Sequence, residues 1–97
     1  MVRRYGTQGV LITKKEQNFF ADYNSLIFDV DYKEHKIIFF RDWDYSTTTK
    51  KHLYSALRDI GISGLASDSS IRKAIKEGTF KNGAGIVFIV EYCEDEV

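Results

Sequence analysis

Trp43, the only tryptophan of the chain, lies between two aspartates and is followed two residues later by Tyr45. Aromatic side chains flanked by charge are enriched at the centres of protein–protein interfaces. The set Asp42, Trp43, Asp44 and Tyr45 is therefore a candidate protein-binding surface. If the preceding strand continued, Trp43 and Tyr45 would share one of its faces. In the structural alternative Trp43 covers the edge of the core, and the aspartates are solvated or begin the next helix.

Basic residues on two predicted helices form a second candidate site. They project away from the apolar positions of these helices and comprise Lys50, Lys51, Arg58, Arg72, Lys73 and Lys76. If the helices pack side by side, these residues could form one basic surface, which phosphate contacts require and which would make binding salt-dependent. In the structural alternative they only keep the helices soluble. Nucleic-acid binding is therefore the second hypothesis.

Residues that could support catalysis are poorly placed in the sequence. His52 borders the apolar stripe of the first predicted helix, and we expect it to be half-buried and bonded to a backbone carbonyl. Thr48 and Ser55 lie within helical reach of it, but no oxyanion hole or third catalytic group is indicated. His35 falls on a predicted hairpin loop, so the two histidines do not suggest a metal site. We predict no enzymatic activity, no metal and no cofactor.

A pair of carboxylates, Asp29 and Asp31, alternates onto one face of a predicted strand, roughly 7 Å apart. A hydrolase or a divalent ion can use such a pair. The other face carries Leu26, Phe28 and Val30. The simpler interpretation is therefore that the aspartates form the solvent side of an edge strand, where charge discourages aggregation.

Composition narrows the classes of function. The 97 residues contain 14 Lys+Arg and 14 Asp+Glu, so the net charge is zero, which argues against a dedicated DNA coat. Cys93 is the only cysteine, which excludes an intrachain disulfide and a thiolate metal cluster. No signal-peptide h-region follows the start, and no apolar run is long enough to span a bilayer. We therefore expect a cytoplasmic protein without membrane contact.

The elements that must position these residues follow from hydrophobic patterning. Strands are predicted at residues 9–13, 19–21, 26–32, 37–40 and 86–92. Helices are predicted from Ser46 or Thr47 to Ile60 and from Asp68 or Ser69 to Gly78. This pattern predicts an α+β fold, an antiparallel sheet in the order ββββααβ with two helices packed on one face.

The whole chain, residues 1–97, is predicted to form a single domain. Its acidic end, residues 93–97, is expected to be frayed. The strand at 86–92 is apolar on both faces for five residues, which is typical of a central strand. Apolar edges around Phe19–Phe20 and Phe39–Phe40 could form a homodimer interface.

The segment from Tyr23 to Leu53 resembles uncharacterised small proteins of phages and plasmids. In those proteins a YxxL strand, a β-hairpin and a Thr-Thr-x-Lys-His helix start follow one another, and the last motif here is Thr48, Thr49, Lys51 and His52. The resemblance implies a mobile-element origin without an established activity. We predict a binding protein that modulates or inhibits a host protein or protein complex, such as one for nucleic-acid processing or defence.

A second resemblance covers residues 68–88. The stretch Asp68–Gly78, followed by Gly85–Phe88, is similar to small DNA-binding modules appended to homing endonucleases. Those modules contain Ser-x-x-Ile-x-x-Ala-Ile and then a glycine–aromatic strand. By this likeness the residues facing DNA would be Ser70, Arg72, Lys73 and Lys76.

Overall fold

Seven strands form one sheet in the structure, a computed structural model that describes residues 1–94. The strands are β1 (Val2–Tyr5), β2 (Gly9–Lys14), β3 (Gln17–Asp22), β4 (Ser25–Asp31), β5 (Lys36–Phe40), β6 (Thr79–Lys81) and β7 (Val87–Cys93). Their order across the sheet is β1-β2-β3-β4-β5-β7-β6, and all neighbours are antiparallel except β5 and β7, which are parallel. The predicted α+β class is confirmed, but β1 and β6 were not predicted and the sheet is mixed.

Two helices connect β5 to β6, and serine side chains fix where each begins. They are α1 (Thr47–Asp59) and α2 (Asp68–Glu77). The Ser46 hydroxyl accepts a hydrogen bond from the Thr49 amide at 3.1 Å, which confirms one of the two predicted caps. Ser67 caps α2 through a reciprocal pair with Ser70, so this cap lies one residue before the predicted position. Gly78 ends α2 at φ +76°, a conformation that favours glycine.

Both helices contribute to one core on the inner face of the sheet. Leu11, Phe20, Phe28 and Phe39 lie opposite one another across β2 to β5, and all are at most 1% exposed. The helices add their apolar stripes to the same cluster; these comprise Leu53, Ala56 and Leu57 from α1 and Ile71 and Ala74 from α2. Both helices of the described residues therefore lie on the inner face of the sheet.

The central position of β4 corrects the prediction for the acidic pair. β4 pairs with β3 on one side and β5 on the other, so it is not an edge strand. A β-bulge at Phe20/Ala21 breaks the predicted alternation, and Ile27 and Phe28 are both fully buried. Asp29 lies on the outer face, half-buried between the neighbouring strands.

The remaining strand predictions also change in detail. β7 has neighbours on both sides, as expected, yet the outward side chains of Val87 and Ile89 are each 53% exposed. Cys93 pairs opposite Phe40, so the last strand extends into the segment predicted to fray, and residues 95–97 lie outside the described residues. Phe19–Phe20 and Phe39–Phe40 lie on interior strands, so neither pair forms a sheet edge. No helix within residues 1–94 is long and apolar enough to cross a membrane.

Candidate functional site

The candidate protein-binding set lies on a tight turn between β5 and α1. Residues Arg41–Asp44 form a 3₁₀ turn, and the Tyr45 amide donates to the carbonyl of Asp42 at 3.1 Å. The strand therefore ends at Phe40, so the condition under which Trp43 and Tyr45 would share a strand face is not met. Trp43 and Asp44 line one cavity, whereas Asp42 and Tyr45 line another.

The first cavity, the Trp43 groove, has a volume of about 340 Å³. Trp43 is only 3% exposed, and its ring centroid lies 6.2 Å from that of Phe39. Trp43 is therefore part of the core, as in the structural alternative, and it presents little surface to a partner. The other residues that line the groove are Asp44, Arg72, Ile75, Lys76 and Tyr92.

Arg72 lies over the Trp43 ring and forms ion pairs with two nearby carboxylates. Its guanidinium carbon lies 4.9 Å from the centroid of the Trp43 ring. Its Nη2 is 2.6 Å from Asp44 Oδ2, and its Nε is 2.5 Å from Asp68 Oδ1. Hydrogen bonding from Arg72, followed by that from Lys50 at 3.2 Å, lowers the pKa of Asp68. Charge in the Trp43 groove is therefore compensated within the chain.

The second cavity, the Asp22 pocket, has a volume of about 210 Å³. Its lining residues are Asp22, Tyr23, Ser25, Asp42 and Tyr45. Tyr23 and Tyr45 are 44% and 67% exposed, and their ring centroids are 6.0 Å apart at an interplanar angle of 47°. The Ser25 hydroxyl donates to Asp42 Oδ2 at 2.8 Å. The pocket thus combines two carboxylates with two exposed phenol rings.

Asp22 is the unusual group of this pocket. Its side chain is 0% exposed, and its Oδ2 lies 3.2 Å from His52 Nδ1. Its Oδ1 is buried and has no hydrogen-bond partner among the described residues. His52 is half-buried, as predicted, but its partner is this carboxylate and not a backbone carbonyl. A buried carboxylate oxygen without a donor is energetically costly, so its presence requires an explanation.

His52 is packed on its other side by the β1–β2 turn. A Cβ at Gly6 would lie 3.0 Å from both Cε1 and Nε2 of the ring, and one at Gly9 would lie 3.4 Å from Nδ1. Among the described residues, the hydrogen-bond partner of the imidazole is Asp22, through Nδ1. The ring orients the Asp22 carboxylate and fills the space beneath the turn.

A two-residue hairpin turn brings to the site three residues that were not predicted from the sequence, Asp22, Tyr23 and Ser25. Tyr23 and Asn24 connect β3 to β4 with φ values of +51° and +64°, as in a type I′ turn. Asparagine tolerates this conformation, whereas it is uncommon for a bulky tyrosine. An asparagine between two predicted strands was the available signal, and it locates the turn but not the pocket.

Only some of the candidate basic residues are available to contact a ligand such as a phosphate group. Lys50 and Arg72 are bound to carboxylates, and the Ser70 hydroxyl is used in the α2 capping box. The other four are exposed, and they are Lys51 and Arg58 on α1 and Lys73 and Lys76 on α2. Arg72 and Lys76 join Trp43 and Asp44 in one groove, so the structure mixes the two predicted sets.

Metal ligands and known relatives give no further guide to this site. Residues 1–94 hold no group of three or more His, Cys, Asp or Glu side chains arranged to bind a metal ion. Comparison of the chain with protein-family models, curated proteins and solved structures found no match. Function must therefore be inferred from the two cavities and the charges around them.

Proposed function

We propose that this chain is a non-catalytic protein-binding module whose contact surface is the Asp22 pocket with its exposed rim. The observation that carries the proposal is the adjacent placement of Tyr23 and Tyr45, both exposed, beside two carboxylates. Tyrosine provides a large, rigid and amphipathic contact area at low cost in conformational entropy, and it is enriched at interfaces. The packing of the core does not require a ring that is 67% exposed at this position.

Nucleic-acid binding is less well supported by the same geometry. Lys50 and Arg72 would have to leave Asp68 and Asp44 before they could contact phosphate. The net charge of zero also provides no general attraction for a polyanion. The four exposed basic side chains on the helices keep this alternative open to the experiment below.

The resemblance of residues 23–53 to small phage and plasmid proteins suggests the class of partner. We propose a host protein or protein complex in nucleic-acid processing or defence, which the chain modulates or inhibits. A partner of that kind is cytoplasmic, and so is the location proposed for this chain.

The test is a pulldown from host lysate, with and without nuclease and at low and high salt. The tagged chain is compared with Tyr45→Ala and with a matched control, Tyr92→Ala, which removes a 38% exposed tyrosine from the Trp43 groove. We expect one stoichiometric protein band that survives nuclease and salt. It should be lost with Tyr45→Ala and retained with Tyr92→Ala.

Recovery of nucleic acid in the pulldown would instead favour binding through the basic residues of the helices. The double variant Lys73→Glu, Lys76→Glu reverses two exposed charges on α2. Recovery of nucleic acid that is lost with this variant and with rising salt, but is unaffected by Tyr45→Ala, would overturn the protein-binding proposal.

A further inference from the structure

We propose that the Asp22 pocket is a cation site that accepts one lysine or arginine side chain of a partner protein. This inference rests on the proposed function and deepens it, because it names the chemical group that the partner must present. It follows from an unpaired buried carboxylate oxygen, a second carboxylate, two aromatic walls and a small cavity, all at one place in the fold.

The unpaired oxygen of Asp22 indicates which chemical group a ligand of this pocket must present. Among residues 1–94, only Oδ2 of this fully buried side chain has a partner, the Nδ1 of His52. Buried carboxylates in proteins are normally paired with a cation or with several donors. An ammonium or guanidinium group is a donor that also compensates the negative charge. The ligand of this pocket should therefore be cationic and should carry N–H groups.

Asp42 increases the negative potential of the pocket. Its Oδ2 accepts from the neutral hydroxyl of Ser25, which leaves its charge in place. Asp42 also forms a salt bridge with Arg41, whose Nε lies 3.9 Å from Asp42 Oδ1; at this distance and exposure the pair is screened by water and offsets the charge of Asp42 only in part. The Trp43 groove differs, because the carboxylate that lines it, Asp44, accepts a hydrogen bond from Arg72 Nη2 at 2.6 Å.

Aromatic walls favour an organic cation over a hydrated metal ion. The faces of tyrosine rings attract ammonium and guanidinium groups, and the attraction grows when the cation is desolvated. Tyr23 and Tyr45 both line the pocket and pack against each other with centroids 6.0 Å apart, so the aliphatic stem of the ligand would lie along the pair of rings, with its cationic end toward Asp22.

The size of the pocket limits the ligand to a single side chain. At about 210 Å³ it is smaller than the roughly 300–1,000 Å³ that is typical of pockets for whole small-molecule ligands. A lysine or arginine side chain that projects from a protein surface fits this limit. The rest of the partner would rest on the exposed tyrosines and on the 3₁₀ turn.

The test uses single blocked amino acids as probes, because the partner is not identified. Amide chemical shifts of the ¹⁵N-labelled chain are followed while N-acetyl-lysine methylamide or N-acetyl-arginine methylamide is added at low ionic strength. N-acetyl-norleucine methylamide is the uncharged control. We expect saturable shifts from Tyr23 to Ser25 and from Asp42 to Tyr45 with either cation and none with norleucine. Equal shifts with all three probes, or with sodium chloride alone, would overturn the proposal.

Two variants separate binding from folding. Asp22→Asn keeps a side chain of similar shape but removes the charge, and we expect the saturable shifts to disappear. Because Asp22 is buried, the second variant is Tyr45→Ala at an exposed position, which should weaken binding roughly two- to thirtyfold. Glu34→Gln removes an exposed charge from the turn at the other end of β4 and should change nothing. Unchanged affinity in both pocket variants would overturn the proposal.

The same variants distinguish this inference from the proposed function. A partner that is captured by Asp22→Asn but lost with Tyr45→Ala would preserve the protein-binding function and overturn the cation site. A partner that is insensitive to both would overturn both.

Discussion

The Trp43 groove and the Asp22 pocket are separated by one short turn, yet their charges are satisfied in different ways. In the groove, Arg72 contacts both Asp44 and Asp68 and covers the indole ring of Trp43. In the pocket, one oxygen of the fully buried Asp22 has no partner among the described residues. Charge alone therefore does not mark a binding site; the pocket differs from the groove in having an unpaired, buried carboxylate that borders a cavity.

Energetics supports this distinction between the two cavities. A buried acceptor without a donor costs about 1–3 kcal/mol, a substantial part of the 5–15 kcal/mol by which domains are stable. The left-handed conformation of Tyr23 adds backbone strain in the same pocket. Backbone strain and unpaired polar groups cluster at functional sites, and here both occur in one pocket, which favours the pocket over the groove as the candidate binding site.

The first and largest prediction compares the two aromatic residues of the turn. Trp43→Ala should lower the free energy of unfolding by about 3–5 kcal/mol, because it removes a ring that is 3% exposed in the core. Tyr45→Ala should change it by less than about 0.5 kcal/mol, because its ring is 67% exposed. Urea unfolding followed by circular dichroism measures both. Similar losses of unfolding free energy in the two variants would contradict the assignment of Trp43 to the core and of Tyr45 to the exposed rim.

A second prediction concerns the junction between the turn and α1. Ser46→Ala should destabilise the chain by about 1 kcal/mol, because the Thr49 amide loses its capping acceptor. Ser46→Asp should restore most of this loss, because aspartate is an equally good cap. The same urea titration measures both variants. If Ser46→Ala has no effect, the cap does not fix where the turn ends and Tyr45 is held by other contacts.

The elements of the fold could be predicted from sequence because their signals are local. Hydrophobic patterning and turn signals predicted β2 to β5 and β7, and Ser46 begins the first helix and Gly78 ends the second as expected. β1 and β6 were missed because they are short and largely exposed, at four and three residues. The bulge beside Ile27 and the parallel pairing of β5 with β7 depend on neighbouring strands, which periodicity within one segment does not report.

The candidate site was predicted only in part because its contacts are distant in sequence. Asp42 and Tyr45 were identified from a single motif, but Asp22 reaches His52 across 30 residues. Arg72 likewise meets Asp44 across 28 residues, which joined two sets that the sequence had assigned to different functions. Residue type indicated that a charge was present, whereas only the tertiary structure showed whether that charge had a partner.

A third prediction tests whether an unpaired carboxylate without a pocket behaves differently. Asp29 has a buried, unpaired Oδ1 on the outer face of β4, and burial, followed by repulsion from Asp31, raises its pKa. Asp29→Thr should raise the free energy of unfolding by about 0.5–1 kcal/mol at pH 7, because threonine favours strands and carries no charge to bury. Thermal unfolding of both proteins measures the difference.

The pH dependence of this gain follows from the direction of the pKa shift. Because the folded-state pKa of Asp29 is raised, ionisation is disfavoured in the folded state. The penalty is absent below the unfolded pKa of about 3.9 and is complete above the folded pKa. The advantage of Asp29→Thr should therefore shrink as the pH falls from 7 to 3, and only the strand-propensity part should remain. A gain that is constant with pH would exclude a contribution from ionisation.

The smallest expected effect is that of Arg72→Ala in the Trp43 groove. Arg72 is exposed, so its ion pairs with Asp44 and Asp68 are screened by water and should add little stability. The clearer readout is the fluorescence of Trp43, because removal of the guanidinium should bring water to the ring and shift its emission to longer wavelength. Arg72→Lys is the matched control, since it keeps the charge but loses the planar, forked group.

The salt dependence of the free energy of unfolding tests whether the ion pairs of Arg72 contribute to stability. The parent protein should lose a little stability as salt rises, and Arg72→Ala should reduce that dependence, because its two ion pairs are then absent while others, such as Lys50–Asp68, remain. Binding at the Asp22 pocket should be unchanged in Arg72→Ala, since Arg72 does not line that cavity. If Arg72→Ala instead prevented cation binding at the Asp22 pocket, the two cavities would act as one site. The presence of an ion-pair partner within the chain would then not distinguish a structural charge from a binding one.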